Sequence, residues 1–179
     1  EMGIGNTTVA AALCARSLGG SGADWAGRGT GVDDPGIARK AHTIDRALEL
    51  HAAAPMTPAE TLRRVGGRET AAIAGAILAA RLKRVPVVLD GFVVGGSVAP
   101  LFAANAAILD HCLAGHRSAE RGHRLLLERF ALEPILDLGM RLGEGTGAAL
   151  AVAVLRAAVA THNGMATFAE AAVSNREGG

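Results

Sequence analysis

Val85-Pro86-Val87-Val88-Leu89 concentrates β-branched residues in a short run and passes directly into Asp90-Gly91. Its length and composition are those of a buried strand, and a proline is tolerated among a strand's first residues. Helical stretches flank it, from about Glu69 to Lys83 before and from about Val98 to Ala107 after. Cys112-Leu113-Ala114 then reads as a second short strand, and Ser118-Ala119-Glu120 opens an amphipathic helix ending near Phe130. Strand, helix, strand, helix is the rhythm of a parallel sheet covered by helices. The expected fold class is therefore α/β: a three-layer, mostly parallel, Rossmann-like sheet with helices on both faces.

The other segments fit that frame. An Ala-rich helix is expected over Val9–Leu18, capped by Asn6 or Thr7 and ended by Gly19-Gly20. Asp24-Trp25-Ala26 reads as a short strand. Asp33-Asp34-Pro35 starts a helix running to about His51, with a capping acid followed by proline at the first helical position. Thr57-Pro58-Ala59-Glu60 is a capping box for a short helix ending near Gly66-Gly67. A last helix covers about Gly147 to Thr161. The chain opens at Glu1 inside a glycine loop with no strand ahead of it, so upstream residues, including strands of the same sheet, are expected to complete the fold.

Charge and cysteine content narrow the function. The 179 residues are 50% hydrophobic, and 18 Lys+Arg stand against 17 Asp+Glu. That balance argues against disorder and lacks the basic excess of a nucleic-acid binder. Cys14 and Cys112 lie far apart with no signal-peptide pattern, so two buried thiols in the cytoplasm are expected rather than a disulfide. The uncharged run Gly91–Leu109 is long enough to test as a membrane span, but Gly95-Gly96-Ser97, Pro100 and Asn105 break it into an apolar stretch, a turn and a helix.

Ligands of open α/β sheets bind beyond the carboxyl ends of strands. Four polar glycine loops are candidates there: Gly3–Thr8, Gly27–Gly31, Asp90-Gly91 and Gly143–Gly147. The first offers close backbone approach and the Thr7 and Thr8 hydroxyls to a phosphate, although a glycine turn with a helix cap explains it equally well. In Gly143-Glu144-Gly145 a carboxylate sits on uncrowded backbone at a helix start, where the dipole keeps it ionised, as a proton acceptor requires. An exposed acid favoured by the same dipole is the plainer reading. Lys40 alone reads as a solvated helix lysine. His111, Cys112, His116 and His123 match no zinc spacing, and His111 and Cys112 are expected on opposite faces of a strand. Ser97 is too far from the preceding strand to be a hydrolase nucleophile.

Taken together, Glu1-Met2-Gly3-Ile4-Gly5-Asn6-Thr7-Thr8, Gly27-Arg28-Gly29-Thr30-Gly31, Val65-Gly66-Gly67, Leu89-Asp90-Gly91-Phe92, His116-Arg117-Ser118-Ala119-Glu120 and Arg141-Leu142-Gly143-Glu144-Gly145-Thr146-Gly147 resemble, in order, the nicotinate-nucleotide:dimethylbenzimidazole phosphoribosyltransferases of cobalamin lower-ligand assembly. The resemblance implies transfer of phosphoribosyl from nicotinate mononucleotide to 5,6-dimethylbenzimidazole, with inversion at the anomeric carbon and no metal or cofactor. It implies Glu144 as the general base. It puts the phosphate against Gly3, Gly5, Asn6, Thr7 and Lys40. Gly29, Asp90, Gly91 and Ser118 would line the ribose and nicotinate side, Leu142 and Gly143 would also bind substrate, and Glu1 would orient Lys40 or the ribose. It further implies a homodimer acting on small molecules, with no nucleic-acid or membrane partner. Residues 1–179 would form the C-terminal part of the transferase domain, with about 147–179 contributing to a smaller helical domain. The chain alone would then have little activity, because upstream residues help build the azole pocket. A nucleotide-binding module without catalysis is the alternative.

Overall fold

The computed structural model describes residues 4–29 and 31–173. Three parallel strands, β1 (Val87–Leu89), β2 (Cys112–His116) and β3 (Pro134–Leu136), form one open sheet in that order. Val87 pairs with Cys112, and Ala114 with Pro134. Helices surround the sheet: α1 (Asn6–Leu18), α2 (Gly22–Trp25), α3 (Asp34–Leu50), α4 (Pro58–Val65), α5 (Arg68–Leu82), α6 (Phe92–Ala104), α7 (Arg121–Phe130) and α8 (Thr146–Gly164). The α/β fold expected from the alternating pattern is the one observed.

The core centres on α1, whose Ala10–Ala15 stretch is buried and packs chiefly on α6, with α3 and α4 alongside. Alanines keep this crossing close. Arg16 is buried as well, and its guanidinium donates to the carbonyls of His51 (3.1 Å) and Ala54 (3.0 Å), tying the turn after α3 to α1. The start of α3 is as expected: Asp33 caps it by accepting the Gly36 amide at 2.9 Å.

Several expectations fail for local reasons. Asp24-Trp25-Ala26 is no strand; α2 begins there because the Asp24 carboxylate accepts both the Ser21 amide (2.7 Å) and hydroxyl (2.8 Å). Trp25 is then buried, donating its indole N–H to the Gly19 carbonyl at 2.9 Å. The capping box of α4 is half made: Thr57 Oγ1 accepts the Glu60 amide, but the Glu60 carboxylate turns to Arg63 and Arg64. Neither Asn6 nor Thr7 caps α1; Gly5 does, with φ +89° and no side-chain cap. The largest revision is α6, which starts at Phe92, so that Gly95-Gly96-Ser97 is helix rather than turn. Those glycines serve helix packing: a Cβ at Gly95 would meet Leu126 Cδ2 at 2.5 Å, and one at Gly96 would meet Ala10 Cβ at 2.8 Å. β3 had no counterpart in the sequence reading, and β2 runs two residues further than expected, to His116. No helix among the described residues is long and apolar enough to cross a membrane.

Candidate active site

β1 ends at Leu89, just before Asp90, and β2 ends at His116, and beyond them opens a cavity of about 550 Å³. It is walled by the start of α1, the Gly29 turn, Lys40 on α3, the Asp90–Val94 segment, residues after β2 and the loop before α8. Gly5, Asn6, Thr7, Gly29, Lys40, Asp90, Gly91, Ser118, Leu142, Gly143 and Glu144 all line it. Six separate stretches of chain thus meet at one place. Glu1 and Gly3 lie outside the described residues.

On one side α1 presents its N-terminus, where the first amides have no intrahelical acceptor and the dipole favours an anion. Lys40 stands beside it. Its ammonium donates to Thr7 Oγ1 at 3.1 Å and to the Gly27 carbonyl at 3.3 Å, which fixes the charge at the mouth of the helix.

Glu144 lines the same cavity. Gly143, Glu144 and Gly145 have φ of +80°, +59° and +75°, three successive left-handed residues. Such backbone costs a non-glycine residue about 1 kcal/mol. The loop is closed by Thr146, whose amide (3.1 Å) and hydroxyl (2.7 Å) both donate to the Gly143 carbonyl. Glu144 is exposed at the cavity wall.

Asp90 forms the floor. It is 7% exposed, and its carboxylate accepts the Gly145 amide at 3.2 Å and the Ala148 amide at 3.0 Å, capping α8 from just beyond β1. His116 packs alongside, 1% exposed, with Nδ1 at 3.6 Å from Asp90 Oδ1 and without a hydrogen-bond partner. Behind it His123 Nδ1 accepts the Ser118 amide at 3.0 Å, and burial pulls the His123 pKa down to about 4, so it is a neutral acceptor.

His116, Glu120 and Arg141 also line the cavity, and the sequence reading gave none of them a place there. Arg141 bridges the site, donating to the Gly29 carbonyl at 3.0 Å and approaching Glu120 Oε1 at 3.3 Å. The signal was present: all three fall inside the motifs that carry the family resemblance. His111 precedes β2, and its ring touches Cys112 Sγ at 3.7 Å, so the two do not occupy opposite faces. Both thiols are buried and shifted upward by burial, Cys112 to about 11, as befits inert core cysteines. Ser97 sits within α6, its hydroxyl donating to the Val93 carbonyl at 2.7 Å.

A family model described as phosphoribosyltransferase matches residues 1–173. The chain belongs to that phosphoribosyltransferase family. Among curated relatives, the nicotinate-nucleotide–dimethylbenzimidazole phosphoribosyltransferase of Novosphingobium aromaticivorans is 68% identical over 175 residues, covering 98% of this chain and 52% of the relative. The protein of the same name from Methylocella silvestris is 58% identical, covering 100% of this chain and 52% of its own length. The crystal structure of CobT from Thermus thermophilus superimposes with a TM-score of 0.90 at 47% identity, over 97% of this chain and 52% of that one. The chain therefore spans about half the length of the family members it matches.

Proposed function

We propose that this chain supplies the mononucleotide site and the general base of an enzyme that transfers phosphoribosyl from nicotinate mononucleotide to 5,6-dimethylbenzimidazole. The products are nicotinate and α-ribazole 5′-phosphate, a building block of the lower ligand of cobalamin. The observation that carries the reading is the convergence on one cavity of a helix N-terminus with a fixed ammonium and an uncommitted carboxylate on left-handed backbone. The relatives' names support the choice of substrates.

The phosphate rests on Gly5, Asn6 and Thr7 at the start of α1 with Lys40 against it, which orients the ribose toward Asp90 and Gly91. Gly29 and Ser118 border the ribose and nicotinate. One azole nitrogen forms the new bond to C1′ from the face opposite nicotinate. The C1′–N bond to nicotinate breaks with its electron pair returning to the pyridine nitrogen, so the centre inverts. Nicotinate is already a good leaving group, so positioning the azole contributes most of the acceleration. The N–H on the second azole nitrogen acidifies as the bond forms, and Glu144, backed by Leu142 and Gly143, takes that proton. An ordinary ionised carboxylate suffices for this.

On the same reading Glu1 and Gly3 complete the phosphate and ribose contacts. The remainder of the full-length enzyme supplies most of the azole pocket. Residues 147–179 contribute to a smaller helical domain, and the enzyme works in the cytoplasm as a homodimer. The deciding experiment is Glu144→Gln in the full-length gene product. Loss of the base is expected to lower turnover by about 10² to 10⁴, with mononucleotide binding retained. Unchanged turnover refutes the assignment.

A further inference from the structure

Glu144 has to be held at a fixed reach although it stands on backbone with little of its own to hold it. Among the described residues no hydrogen bond or ion pair anchors its side chain. The loop closes only on itself, through Thr146 and the Gly143 carbonyl. Arg141 ties its N-terminal side to Gly29 and Glu120, and on its C-terminal side it is held by Asp90, whose two oxygens accept the amides of Gly145, the residue next to Glu144, and Ala148, one turn further on. Both bonds are partly buried and charge-assisted, the stronger kind. The first turn of α8 cannot slide inward either, because a Cβ at Gly147 would stand 1.9 Å from His116 Nδ1 and one at Gly115 would stand 2.9 Å from Ala148 Cα. Beyond that turn Ala151 of α8 is fully buried, and α8 as a whole packs on the strands.

We propose that Asp90, braced by the His116 ring against Gly147, is the positioning residue for Glu144, setting the distance from its carboxylate to the azole N–H; this rests on Glu144 being the base. Asp90 acts through the loop and takes no proton itself. Its loss frees the first turn of α8 while the rest of the helix stays docked, so the damage falls on the proton-transfer step.

The test is a double-mutant cycle in the full-length gene product, with kcat and mononucleotide KM measured separately. In Asp90→Asn the amide group would face one of the two backbone N–H donors, so one cap is lost at nearly constant volume. The expected result is a fall in kcat of about 10- to 100-fold, the scale set by a misplacement of about 1 Å, beyond whatever change in mononucleotide KM follows from Asp90 bordering the ribose. Because Asp90 acts through Glu144, Asp90→Asn/Glu144→Gln is expected to be no slower than Glu144→Gln alone. A residue of general structural importance would instead multiply the two losses, and that result overturns the proposal. So does a wild-type kcat for Asp90→Asn where Glu144→Gln is impaired. A wild-type rate for Glu144→Gln itself removes the base assignment, a failure read from that single variant alone. If Asp90→Asn does not accumulate as folded protein, Gly147→Ala, which displaces His116 and leaves Asp90 intact, takes its place in the cycle with the same outcomes.

Discussion

Replacing Lys40 with Met removes the ammonium and keeps an unbranched stem of similar length. Two of the three ammonium donors are committed, to Thr7 Oγ1 at 3.1 Å and the Gly27 carbonyl at 3.3 Å, and the third is left for the cavity that Lys40 lines. A hydrogen bond between charged partners contributes about 1.5 to 3 kcal/mol, so nicotinate mononucleotide should bind about 10- to 100-fold more weakly to Lys40→Met. The alternative, a solvated lysine about 8 Å from the phosphate, would be worth about 0.5 kcal/mol per unit charge in water before screening, less than about threefold in affinity. The two cases are separable by titration calorimetry on the full-length gene product. The nucleoside lacking the phosphate serves as control and should bind wild type and variant equally. A mononucleotide affinity within threefold of wild type, or an equal loss for nucleotide and nucleoside, would refute the phosphate contact.

Two stability predictions follow from groups outside the cavity wall. Arg16→Met leaves the carbonyls of His51 and Ala54 without their donor and should cost about 2 kcal/mol in urea unfolding, whereas a change under about 0.5 kcal/mol would mean that the turn after α3 is held by other contacts. His123 is held at about 4 by burial, below the usual 6.5, so above pH 6.5 neither folded nor unfolded chain carries this proton. As pH falls from 6.5 toward 4 the unfolded chain takes it and the folded chain does not, which should remove about 3 kcal/mol of stability over that window. His123→Gln, whose amide oxygen can still accept the Ser118 N–H, should unfold with a visibly flatter pH dependence; equal slopes for the two proteins would count against the neutral, buried imidazole.

The parts of the fold that the sequence announced are those decided within a few residues. Asp33 and Pro35 set the start of α3 through one capping bond and one fixed dihedral, and the run ending at Leu89 carries its strand in its own side chains. The parts that escaped depend on distant neighbours. Gly95 and Gly96 look like a turn until Leu126 and Ala10 are seen pressing on them, and Pro134–Leu136 becomes a strand only because β2 offers it an edge. The site was legible as a set of loops, since glycines and threonines before helices have few other uses. Its floor was not: the double cap from Asp90 to α8 joins residues 55 and 58 apart in sequence, and no local pattern encodes it.

The left-handed stretch around Glu144 also limits how the position can change over evolutionary time. Asparagine and aspartate tolerate that backbone, and glycine prefers it, whereas a β-branched side chain would be strained there whatever its chemistry. Single substitutions that keep the loop intact therefore lead to a shorter acid, a neutral amide or no side chain at all. On the proposed function, descendants that take an amide or glycine here would be expected to lose the proton transfer while still gripping the nucleotide, because those replacements touch the proton's destination and leave the residues proposed to hold the phosphate alone.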